Sequence, residues 1–75
     1  MKSFTIILNT VNKVKDFCDT INQFDGEFDL ILDDYVIDAK SIMSILSLDL
    51  SKPMKFEVNN VPNLTELENS IKKFM

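Results

Sequence analysis

"FDLILDDYVIDAKSIMSILSL", residues 28–48, changes its hydrophobic period as it runs. Phe28, Leu30 and Leu32 alternate with Asp29, Ile31 and Asp33, and a period of two predicts a strand. Asp33-Asp34 then interrupts the run and Tyr35-Val36-Ile37 resumes it, which predicts a hairpin with a two-residue turn. Aspartate tolerates the left-handed backbone region better than most residues, so the pair can serve as that turn. At Ser41 the pattern changes to apolar residues spaced by serines, which predicts a short helix from Ser41 to about Leu48.

The same alternation of periods extends in both directions. Phe4, Ile6 and Leu8 alternate with Thr5, Ile7 and Asn9, a strand over residues 3–9. Val14, Phe17, Cys18 and Ile21 then fall at i, i+3, i+4 and i+7, the stripe of an amphipathic helix with Thr10 or Asn12 as N-cap. Gly26, the only glycine, stands just past that helix as its expected end. Met54, Phe56 and Val58 predict a last strand after Pro53. Asn63 and Glu66 have capping-box spacing for a final helix striped by Leu64, Leu67, Ile71 and Phe74, and Lys72 and Lys73 suit its C-terminal dipole. The order is β-α-β-β-α-β-α. Strands with a mixed second face and three amphipathic helices imply an α+β domain, residues 1–75, with the helices on one face of a single sheet.

Composition narrows the functions available. A chain of 75 residues with 45% hydrophobic and 27% charged side chains is expected to fold, but around a thin core. Its cations are all lysine, 8 against 12 acids, for a net charge of −4. That balance disfavours a nucleic-acid backbone and an anionic membrane surface. One cysteine and no histidine exclude the usual zinc sites and any Ser-His-Asp or Cys-His arrangement. No cofactor and no metal is expected. The N-terminal apolar run is too short for a signal-peptide core and no segment is long enough to span a bilayer, so a protein of the reducing cytoplasm is expected.

The element order, and Lys40-Ser41-Ile42-Met43 with Ser47-Leu48 after it, resemble HPr, the small phosphocarrier of the bacterial sugar phosphotransferase system. The match is best from Phe24 to Leu48, where it runs without a gap. The resemblance implies an HPr-like open-faced β-sandwich with a four-stranded antiparallel sheet. It implies protein partners: phosphotransferase-system enzymes, a serine kinase or a transcriptional regulator. HPr's own chemistry resides in a glycine-isoleucine-histidine-alanine-arginine-proline signature at the start of the first helix. Here the region reads Asn9-Thr10-Val11-Asn12-Lys13-Val14, the chain between first strand and helix is shorter than in HPr, and one placement of that gap puts Thr10 at the histidine and Asn12 at the arginine. A threonine phosphoester is too stable to pass its phosphoryl group on, so this region is a degenerate phosphoacceptor site and no catalytic residue is expected.

Ser41 matches the serine that a dedicated kinase phosphorylates in many HPr proteins, which makes it a candidate regulatory site. Its simpler role is an N-cap, the hydroxyl accepting a first-turn amide for about 1 kcal/mol. On the short helix, Ile45 and Leu48 are expected to face the core. Ile42, Met43 and Leu46 spread elsewhere and are expected to form an exposed patch for partner docking, unless the core or a homodimer covers them. Methionine suits a contact that adapts its shape. Cys18 is expected to be a buried structural thiol. Asp25, Glu27, Asp29, Asp33, Asp34 and Asp38 fit no calcium-loop spacing and read as a solvated face. Asp49 stands where HPr proteins usually carry a glycine. The expected function is a non-catalytic, HPr-like regulatory interaction module, monomeric or weakly dimeric. The alternatives are a phosphocarrier with an unconventional acceptor, or a structural, homo-oligomeric module.

Overall fold

Four strands and three helices form in the expected order. The structure, a computed structural model, describes residues 2–75. Strand β1 spans Lys2–Ile6, helix α1 Val11–Ile21, β2 Glu27–Leu32, β3 Tyr35–Asp38, helix α2 Ile42–Leu46, β4 Met54–Asn59 and helix α3 Leu64–Ile71, which ends in a 3₁₀ turn at Lys72–Phe74. The strands pair antiparallel in the order β1-β4-β2-β3. Their alternation is strict: Phe4, Phe56, Leu30 and Ile37 stand opposite one another in a row on the helix-covered face. Ser3, Glu57, Asp29 and Asp38 form the corresponding row on the open face.

Phe56 is the centre of the core. Phe17 meets it edge-on at 5.0 Å between ring centroids and meets Phe74 the same way at 5.4 Å, so one ring of α1 ties the sheet to the C-terminal turn. Each such edge-to-face pair adds about 0.5–1.5 kcal/mol beyond the area it buries. Phe28 stacks with Phe56 at 5.8 Å between ring centroids. Val14, Phe17, Cys18 and Ile21 of α1 and Leu67 and Ile71 of α3 are all buried, as the helical spacing requires.

Several local expectations are corrected. The first strand ends at Ile6 rather than Asn9, because the amide of Ile7 donates to the carbonyl of Phe74 at 2.7 Å instead of pairing with β4. Leu8 nevertheless reaches the core. Thr10, not Asn12, is the N-cap of α1, its Oγ1 accepting the Lys13 amide at 3.1 Å. Gly26 does not end that helix, which closes at Asn22. Its φ of 142° and a Cβ position only 2.7 Å from Val61 Cγ2 show that glycine is needed for close approach to the chain after β4. The Asn63–Glu66 capping box does not close, since Asn63 makes no side-chain cap. In the hairpin turn Asp33 takes the left-handed conformation with φ 54°, at the position where aspartate tolerates it.

Candidate interaction site

α2 is the shortest helix of the three, and the core absorbs only part of its apolar residues. It covers five residues and stops at Leu46, short of the expected Leu48. The serines explain the early stop. Ser47 Oγ donates to the Ser44 carbonyl at 2.6 Å and the Leu48 amide donates to Ile45, so the last turn tightens and ends. Asp49 keeps a negative φ, unlike a glycine chosen for left-handed backbone. Its Oδ1 accepts both the amide and the hydroxyl of Ser51, at 3.1 and 2.6 Å, and these bonds hold its carboxyl below the ordinary value.

On so short a helix only Ile45 is fully buried. Met43 is 76% exposed, the most exposed large apolar side chain among the described residues, and Leu46 is 36% exposed. Ile42 corrects the expectation: it is half-buried and packs on the core, because a helix start held close to β3 turns its first side chain inward. The exposed patch on α2 therefore consists of Met43 and Leu46, with Ile42 at its edge.

Ser41 occupies the N-cap position but caps nothing with its side chain. Its hydroxyl donates to Ser44 Oγ at 3.1 Å instead. The lead-in is held by Asp38, whose Oδ1 accepts the Lys40 amide at 2.9 Å and whose carbonyl accepts the Ser41 amide at 3.0 Å. The capping expectation for Ser41 is thereby overturned: the hydroxyl is spent inside the helix. A phosphoryl group on Ser41 would remove that donor and leave Ser44 to donate to the new oxygens. Lys40 has a role that spacing did not reveal. Its Nζ donates to the Phe24 carbonyl at 3.0 Å and lies 5.1 Å over the Phe28 ring, pinning the chain after α1 to the start of α2.

Thr10 and Asn12 lie in the exposed first turn of α1, with Thr10 committed to capping. Cys18 is buried with its thiol 3.8 Å from the Ala39 carbonyl, and burial, then Asp19, push its pKa up. Among the described residues no group of three or more His, Cys, Asp or Glu side chains is placed to hold a metal ion, and no helix is long and apolar enough to cross a membrane. Of the acids, Asp29 stands directly opposite both Asp38 and Glu57 on the open sheet face. Two features escaped the periodicity: Tyr35 and Val36 are 65% and 64% exposed. Their position on an edge strand decides this, and no sequence pattern marks which strand lies at an edge.

Comparison with solved structures decides the fold. HPr-C-His of Thermoanaerobacter tengcongensis superposes with a TM-score of 0.80 over 97% of this chain and 89% of its own, at 24% identity. The chain has the HPr fold. The histidine-containing phosphocarrier protein of a mycoplasma superposes with a TM-score of 0.76 over 96% of this chain and 89% of its own, at 13% identity. No family model and no curated protein matches the sequence. On this HPr-like frame the histidine named for the mycoplasma protein has no counterpart, since the chain contains none.

Proposed function

We propose that this protein is an HPr-like interaction module that does not transfer phosphate through histidine. It acts by docking on protein partners of the sugar phosphotransferase system or its regulation, in the cytoplasm. The observation that carries this reading is Met43, 76% exposed beside Leu46 on α2, on an HPr fold without a histidine. An apolar side chain so far from the core contributes little to folding, and Met43 with Leu46 makes the apolar patch that a partner would cover. Ile42, half-buried at the patch edge, would position the helix rather than be gripped directly. Ser41 is the proposed switch. A dianion at the head of α2 would place charge beside Met43 with little refolding, so that a partner rather than the fold would register it.

The direct experiment measures binding of the purified protein to the first enzyme of the phosphotransferase pathway, to the serine kinase and to the transcriptional regulator. Met43→Asp should abolish the binding that wild type shows; equal binding by both would remove the docking role. Incubation with phosphoenolpyruvate and the first enzyme, followed by intact mass measurement, should leave the mass unchanged. A gain of one phosphoryl group would establish an unconventional acceptor instead. With ATP and the serine kinase, a phosphoryl group mapped to Ser41 supports the switch, and an unmodified chain removes it.

A further inference from the structure

Beside α2 lies a groove of about 260 Å³, between the β2–β3 turn and the chain leaving the helix. Leu32, Tyr35, Ile37 and Leu48 supply its apolar lining, and Asp33 and Asp49 stand in it as carboxylates. Tyr35 is 65% exposed, so its ring offers a free face. The charge around the groove is one-sided. Lys52 bridges to Asp33 at 3.3 Å and its charge also bears on Asp49, so one cation is shared between the two carboxylates of the groove. Both bonds from Ser51 go to Oδ1 of Asp49, so its Oδ2 has no hydrogen-bond donor among the described residues.

We infer that this groove takes a cationic anchor of a partner protein: an apolar or aromatic side chain with a lysine or arginine beside it. The apolar part covers Leu32, Ile37 and the Tyr35 ring, and the cation reaches the open oxygen of Asp49. A second copy of this chain is the poorer occupant, because it carries the same net charge of −4 and brings like charges together. The Ser51 bonds favour the ionised form of Asp49, so the anionic side of the groove persists across the physiological range. Ser47 and Leu48, which line the groove, follow directly on Leu46 in the chain. The inference deepens the docking proposal and rests on it for its biological meaning, but a small-molecule titration tests the groove alone.

The probes are phenethylammonium and phenylacetate, the same ring with opposite charge, titrated into the ¹⁵N-labelled protein. Phenethylammonium should produce saturable amide shifts at Leu32, Tyr35, Ile37, Leu48 and Asp49 at roughly millimolar concentration. It should bind roughly tenfold more tightly than phenylacetate, with the difference shrinking as salt is raised. Asp49→Asn should erase most of that preference, and Tyr35→Ser should weaken both probes while amide shifts far from the groove stay unchanged. Equal binding of the two probes would overturn the charge selection, and no saturable shift at these residues would overturn the groove itself. Self-association that broadens the same amides as protein concentration rises would assign the groove to a second copy and overturn the inference. Equal partner binding by wild type and Met43→Asp, which removes the docking role, leaves all these outcomes unaffected, so the two proposals fail separately.

Discussion

α1 and α2 are both amphipathic by sequence, yet the fold uses them in opposite ways. α1 has eleven residues, a side-chain N-cap at Thr10 and a stripe that is buried at every expected position. α2 has five residues, no side-chain cap and one fully buried position, Ile45. α1 meets Phe56 and Phe74 through Phe17, so its placement is fixed by the core. α2 packs on α1 through Ile45, and its lead-in is held by Asp38 and by Lys40 reaching to Phe24. Helix stability in proteins comes chiefly from tertiary packing, and a five-residue helix has almost none of its own. Ile45 therefore anchors α2 to the core with Ile42 packed beside it, while Met43 and Leu46 are left to solvent.

The contrast predicts a graded series of stability effects. Phe17→Ala removes the ring that joins sheet and C-terminus and should cost about 3–5 kcal/mol, enough to leave a chain of this size largely unfolded in chemical denaturation. Thr10→Ala should cost about 1 kcal/mol in the same measurement, because it removes a cap that forms. Ser41→Ala and Met43→Asp should each stay within about 0.5 kcal/mol of wild type, since neither removes a cap or a core contact. A loss at Ser41 as large as that at Thr10 would break the distinction between the two helix starts.

The smallest effect is tied to pH and to the chain just after α2. The Ser51 bonds depress the Asp49 carboxyl below its ordinary value of 3.8, so the ionised form is favoured in the folded state. Its stabilising contribution is fully present above that value and is lost as pH falls through the depressed one. The denaturation midpoints of wild type and Asp49→Ala should differ slightly at neutral pH and converge under acid conditions below 3.8. Asp49 is fully exposed, so the difference is small; a gap that widened on acidification would contradict the assignment.

Particular residues show how far the pattern could be read. The stripe of Val14, Phe17, Cys18 and Ile21 and the alternation of Phe28, Leu30 and Leu32 gave the elements and their buried faces, because period and burial are two aspects of one constraint. The Asp33-Asp34 turn was legible for the same reason. Gly26 stands where a helix end is expected, but its purpose is proximity to Val61, a residue distant in sequence. The position of Ser41 allows a cap, but its hydroxyl has a second partner, Ser44, within the same helix. Exposure at Met43 and Leu46 was visible as a surplus of apolar residues. The half-burial of Ile42, the tether from Lys40 and the groove beside Tyr35 were not.

By itself the sequence determined the order of elements, their inward faces and the absence of any histidine to carry phosphate, since local spacing and side-chain chemistry suffice for these. Only the tertiary structure decided which strand lies at the edge, where α2 stops and which of its apolar residues meet solvent. Those outcomes depend on contacts between residues far apart in the chain, and on competition among hydrogen-bond partners that a linear pattern leaves open.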